Sequence, residues 1–117
     1  MNYKKEDFFE KVIVSSVEEL IEEYNQKEGY SASLHKEATL DNPDDPWENV
    51  IGILVKCPDR TQKKIALHQS LGGEVYTIGL EGEEMVESFN YMEVDKTYIK
   101  EELKNIIENY KRIKYLQ

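Results

Sequence analysis

One cysteine, Cys57, stands in the whole chain, so neither an internal disulfide nor a thiolate metal cluster can be built from it alone. No long apolar run occurs and mean hydropathy is -0.68, which excludes a helical membrane span from the sequence. Positive charge is scarce: 15 Lys and Arg stand against 24 Asp and Glu, for a net charge of -9. Phosphate backbones are held by clustered cations, so direct nucleic-acid binding through a broad basic surface is disfavoured. Met1 to Asp7 lacks the charged-then-apolar layout of a secretory signal, and a cytoplasmic, membrane-free protein is expected. Internal repeats, low-complexity tracts and a linker long enough to separate domains are also missing, so residues 1–117 read as a single domain.

What is present suffices for one core. The 117 residues are 39% hydrophobic and 33% charged, a mix that folds. Charge is unevenly spread: residues 1–95 hold 9 basic and 21 acidic side chains, residues 96–117 hold 6 and 3. An acidic body of this kind suits a basic partner, and it equally suits a domain made acidic for solubility.

Periodicity supplies the elements. Val17, Leu20, Ile21 and Tyr24 recur at steps of three and four between Glu18, Glu19, Glu22 and Glu23, which predicts a helix over 16–28 with those acids as its polar face. Ser16 and Glu19 have capping-box spacing, and Gly29 is a suitable stop. Upstream, Val12-Ile13-Val14 allows a short strand, but a single helix from about residue 5, kinked near Ser15, fits better. Tyr30, Ala32, Leu34, Ala38 and Leu40 share the parity of one long strand. Residues 40–49, with two prolines and three aspartates, read as a loop. Strands then follow at Val50–Val55, around Ile65 and Leu67, over Tyr76–Leu80, and from Val86 to Val94 with Phe89 and Tyr91 on one side. Their turns are Pro58–Thr61, Leu71–Gly73 and Glu81–Glu84. Ile99, Leu103, Ile106, Ile107, Tyr110 and Ile113 form the stripe of a closing helix capped by Asp95 or Thr97, with Lys111, Arg112 and Lys114 suited to its C-terminal dipole. The fold class is α+β: an N-terminal helix, an antiparallel meander of about five strands, and a C-terminal amphipathic helix packed on one sheet face.

Catalytic patterns are thin. His35, Cys57 and His68 sit singly on different segments without metal-ligand spacing, and no Gly-x-Ser-x-Gly elbow or helix-opening glycine loop occurs. Asp41, Asp44 and Asp45 lack calcium-loop spacing. No catalytic, metal or cofactor site is assigned. Two acidic loops suit a protein contact instead. Trp47 stands among Asp41, Asp44, Asp45 and Glu48, an aromatic rimmed by acids, although Trp47 closing the core is the other role open to it. Glu81, Glu83, Glu84 and Glu87 form the second, for which a solvated hairpin tip is the plainer reading.

From residue 64 to 113 the order of signals resembles small immunity proteins of bacterial polymorphic-toxin systems, of the TriTu type. The resemblance lies in Ile65-Ala66-Leu67-His68-Gln69-Ser70-Leu71-Gly72-Gly73-Glu74-Val75-Tyr76-Thr77-Ile78-Gly79-Leu80, then Ser88-Phe89-Asn90-Tyr91-Met92-Glu93-Val94, then the helix from Tyr98 to Ile113. It implies a non-enzymatic protein that neutralises a toxin by binding it, and it carries over no functional residue. The function expected is thus an acidic, non-catalytic inhibitor of a basic protein, a toxin or a nuclease, with a phage-encoded inhibitor of a host defence complex as a second reading. A third is a small-molecule-binding α+β domain using His35, His68 and nearby tyrosines. Oligomeric state is left open.

Overall fold

A computed structural model describes residues 4–35, 47–80 and 85–109, apart from the side chains of Trp47, Met85 and Val86. Strands β1 (Ser31–Leu34), β2 (Trp47–Lys56), β3 (Gln62–Ser70), β4 (Val75–Leu80) and β5 (Met85–Asn90) form one open sheet in sequence order, every neighbouring pair antiparallel. Before them run α1 (Lys5–Phe8), a π-helical segment (Phe9–Val14) and α2 (Ser15–Asn25), and after them α3 (Lys96–Asn109). This is the α+β arrangement expected.

Register explains which face the helices take. Ile53 pairs with Ile65 and Ile65 with Leu80; Ile51 pairs with Leu67, Leu67 with Ile78, and Ile78 with Glu87. These residues share one side of the pleat, and most are buried in a single cluster with Phe8, Val12, Ile13, Val17, Leu20 and Tyr24 of the first helical stretch and Ile99, Leu103, Ile106 and Ile107 of α3. Each fully buried aliphatic contributes roughly 1.5–3 kcal/mol of transfer free energy, so this shared face dominates the fold's stability.

The first helix is continuous from Lys5, as expected, but its bend has another form. Phe8, Val12, Ser16, Leu20 and Tyr24 are all buried at four-residue spacing, with Ile13 and Val17 buried beside them. An α-helix turns about 100° per residue, so such a repeat drifts by about 40° each turn. The wider turn at Phe9–Val14 winds the stripe back toward the sheet. Ser16 is therefore interior and caps nothing. Its Oγ donates to the Val12 carbonyl at 2.5 Å, while Glu19 accepts from Ser15 and Lys96. Ser-x-x-Glu spacing occurs inside helices as well as at their starts, and here the capping box is absent.

Three strand expectations are revised. Strand β1 covers only Ser31–Leu34, with Ala32 buried and Leu34 46% exposed; Ala38 and Leu40 lie outside the described residues. Trp47, Glu48 and Asn49, expected in a loop, open β2, with a bulge between Trp47 and Asn49. Strand β5 stops at Asn90, because the Asn90 side chain accepts from the Met92 amide while Glu93 accepts from the Asn90 amide, and this box starts a 3-10 turn at Tyr91–Glu93. Tyr91 accordingly leaves the strand, donates its amide to the Glu74 carbonyl and lays its ring edge-on to Phe8. Ala66 and His68, expected on an outward face, are buried as well. The cap of α3 is Asp95, whose Oδ1 accepts from the Tyr98 amide at 2.9 Å; Tyr110, Lys111, Arg112, Ile113 and Lys114 lie outside the described residues.

Asn25 closes the free edge of β1. Its Nδ2 donates to the Ala32 carbonyl at 2.9 Å and its Oδ1 accepts from the Ala32 amide at 2.7 Å, so a side chain takes the place of a sixth strand. Asn25→Ala should cost about 1–3 kcal/mol in urea unfolding, the desolvation cost of leaving that backbone pair unmet. It should also raise self-association in analytical ultracentrifugation; a variant as stable and monodisperse as the parent would show that the clamp does neither.

Candidate functional site

Of the acids assigned to a contact surface, Asp41, Asp44, Asp45, Glu81, Glu83 and Glu84 lie outside the described residues, but the strands that flank them fix which end of the sheet each loop joins. Trp47 pairs with Ser70, at the end that carries the Leu71–Gly73 hairpin. Leu80 pairs with Ile65, five residues back along β3, so the 81–84 connection leaves the sheet about 17 Å away, at the other end. Trp47 and Leu80, the described residues that border the two acidic segments, therefore lie at opposite ends. Glu48 is exposed beside Trp47.

Glu87 differs from the rim charge it was expected to be. It lies on the helix-covered face of β5, half-buried, and accepts a hydrogen bond from the Tyr98 hydroxyl of α3. Its Oε2 is enclosed and meets no ordinary hydrogen bond among the described residues. Glu102, one helical turn beyond Tyr98, faces the same carboxylate. Sharing a proton with Glu87, together with burial and the adjacent negative charge, raises the Glu102 carboxyl to about 7. The hydrogen bond to Glu87 likewise pushes the Tyr98 hydroxyl up to about 12. Together these groups form an acid pair clamped between sheet and helix.

On its other flank α3 lies parallel to α2 and is joined to it by charge. Lys96 Nζ is 2.5 Å and Lys100 Nζ 3.5 Å from Glu19; Lys104 is 3.2 Å from Glu23, which Lys100 also contacts. Hydrogen bonds from Lys96 and Lys100 respectively hold Glu19 and Glu23 below the usual carboxylate range. Half of the helical acid face is thus spent internally, and only Glu18 and Glu22 of that set are exposed. The mildly basic C-terminal segment likewise has three of its lysines engaged here.

At the far end of α3 the Tyr24 hydroxyl donates to Glu108, Lys27 stands 3.5 Å from Glu108 and 4.7 Å over the Tyr24 ring, and Lys63 donates to the Ile107 carbonyl. A cleft of about 260 Å³ opens there, lined by Tyr30, Cys57, Pro58, Asp59, Lys63, Ile107 and Glu108. Neither histidine lines it. His35 follows β1 with its amide bonded to Gly52, and His68 pairs with Val50, so both lie on the sheet face away from the helices with β2 between them. Burial lowers the His68 pKa. Among the described residues no three His, Cys, Asp or Glu side chains gather as a metal site.

Sequence reasoning passed over Tyr98 and Glu102, and also the exposed apolar set Leu71, Val75 and Met92. Parity held one usable signal: Glu87 is two residues from Phe89 and so shares its inward face. No family model matches the chain, no curated protein matches it, and no solved structure matches it.

The acid pair sets a pH dependence whose sign is fixed. Glu102 binds its proton more tightly folded than unfolded, so it favours the fold at acid pH, and that contribution is lost as pH rises from about 4.5 to about 7. With solvent screening discounted, the loss is roughly 1–2 kcal/mol. Glu19, Glu23 and Glu108, whose pKa values are lowered, act in the opposite sense and at lower pH. Glu102→Gln should therefore be more stable than the parent at pH 8, with the difference shrinking toward pH 4.5. A difference constant across that range in denaturant titrations would show that the pair does not share a proton.

Proposed function

We propose that this chain is an acidic, non-catalytic binding protein that neutralises a basic protein in the cytoplasm, and that it acts as an immunity protein toward a toxin. The observation that supports the reading is the disposition of charge. The lysines of α3 are spent on Glu19 and Glu23, and Lys27 on Glu108, while Glu10, Glu18, Glu22, Glu48, Glu74 and Glu93 stand exposed outside any ion pair among the described residues. Surface acid left over in this way attracts a basic partner and speeds encounter. It also imitates the phosphates that a nucleic-acid-cutting enzyme binds, so the toxin is taken to be a nuclease.

Co-expression with the product of the neighbouring reading frame should yield a complex that survives gel filtration at modest salt. Its association rate should fall roughly tenfold or more as salt is raised, while dissociation changes little. Protection of cells from that product establishes immunity. A host nuclease captured in its place points to a counter-defence inhibitor. A chain that binds neither leaves the inhibitor reading without support.

A further inference from the structure

We propose that the sheet end formed by the β3–β4 hairpin and the turn after β5 is the surface that seats the basic protein partner, with Met92, Leu71 and Val75 as its apolar anchors; this rests on the binding reading above. Five large hydrophobic side chains are exposed among the described residues, and four of them, Val50 (39%), Leu71 (58%), Val75 (40%) and Met92 (73%), fall at this end. Register brings them together. Val75 pairs with Asn90, two residues before Met92; Leu71 opens the hairpin that leads into Val75; and Val50 pairs with His68 on β3, two residues before Ser70. Trp47 opens β2 at the same end, its backbone paired with Ser70, and in sequence Asp44 and Asp45 come just before it.

The anchors are presented by fixed backbone. Gly72 and Gly73 take φ of 88° and 79°, and the Gly73 amide donates to the Ser70 carbonyl at 2.9 Å. Met92 sits in the middle of a turn held by both halves of the Asn90–Glu93 box, and its neighbour Tyr91 is tied to Glu74 and packed on Phe8. A methionine this exposed on a capped turn loses only side-chain freedom when it is covered, which keeps the cost of binding low. Among the described residues it is not one of those that pack against the core.

Charge decides which partner fits. Glu48, Glu74 and Glu93 are exposed around the anchors, and Asp95 follows them. Lys4 and Lys5 enter the same end from the start of α1, and the Lys5 stem lies against Gly73, so the rim is acidic on balance and not uniformly. The opposite end carries Lys56, Arg60 and Lys64 exposed about the β2–β3 turn with Asp59, and Leu80 there leads in sequence into Glu81, Glu83 and Glu84, so only the turn itself is basic on balance. A basic protein is drawn to the first end and meets like charge at the β2–β3 turn of the second. Apolar anchors inside a charged rim are also the anatomy of an interface centre.

The test uses the full chain and the purified product of the neighbouring reading frame, with binding followed by surface plasmon resonance. The variant Leu71→Ser/Met92→Ala should dissociate at least tenfold faster at an unchanged association rate. Glu48→Lys/Glu74→Lys should associate several-fold more slowly and lose much of its salt dependence. Lys64→Glu, at the far end, should do neither. All these positions are exposed, so circular dichroism should match the parent, and the two sets test the surface independently. If the parent binds and both sets bind like it, this surface is overturned while the inhibitor function stands. If the parent does not bind that polypeptide, the immunity reading and this surface as its toxin's seat both fall, while capture of a host nuclease would leave the counter-defence reading standing.

Discussion

One side of a five-strand meander must be covered, and the rest of the molecule is arranged around that requirement. The residues that face inward from β2, β3 and β4 are aliphatic over most of their central length, with Tyr76 beside them, and helical stripes of matching length seal them. The first helical stretch meets the demand with a four-residue repeat that an unbroken α-helix would carry off the sheet, and the π turn corrects it. The second meets it with Ile99, Leu103, Ile106 and Ile107, an ordinary stripe that needs no correction. Where the two helices meet, lysines from one interleave with glutamates from the other. Exposed pairs of that kind contribute little each, so they set alignment more than stability.

The same seal explains the internal carboxyl pair. Glu87 stands in a register row whose other members are Ile51, Leu67 and Ile78, so its place is inside the helix-covered layer. Tyr98 donates its hydroxyl to it from α3, and Glu102, one turn further on, has its own carboxyl pKa raised by that neighbour, which eases a second charge there. This is a local departure from an apolar pattern, at the point where β5, the last strand, meets the last helix.

Much of this was legible from periodicity. The meander order, the two amphipathic stripes, the Gly72-Gly73 hairpin and the Asp95 cap all follow from local patterns, because each is enforced by neighbours within a few residues. What was missed depends on distant partners. Trp47 to Asn49 read as loop on composition, yet β3 offers them a ladder. Val86 to Val94 read as one strand on its alternation, yet Asn90 and Glu93 build a turn that only their mutual hydrogen bonds reveal. Glu87 read as part of an acidic run because charge was weighed above parity. Its parity with Phe89 was the better guide.

Because α2 and α3 run in the same direction, both of their amino ends lie toward the hairpin side of the sheet and both carboxyl ends toward the β2–β3 turn. Their peptide dipoles add instead of cancelling, as they would in an antiparallel pair. Acidic side chains at Glu93 and Asp95 answer the positive end, and Lys63, donating to the Ile107 carbonyl, answers the negative one. The answer is partial, since Lys96 opens α3 and Glu108 stands near its end, so a backbone field set by the topology is only partly offset by side-chain charge.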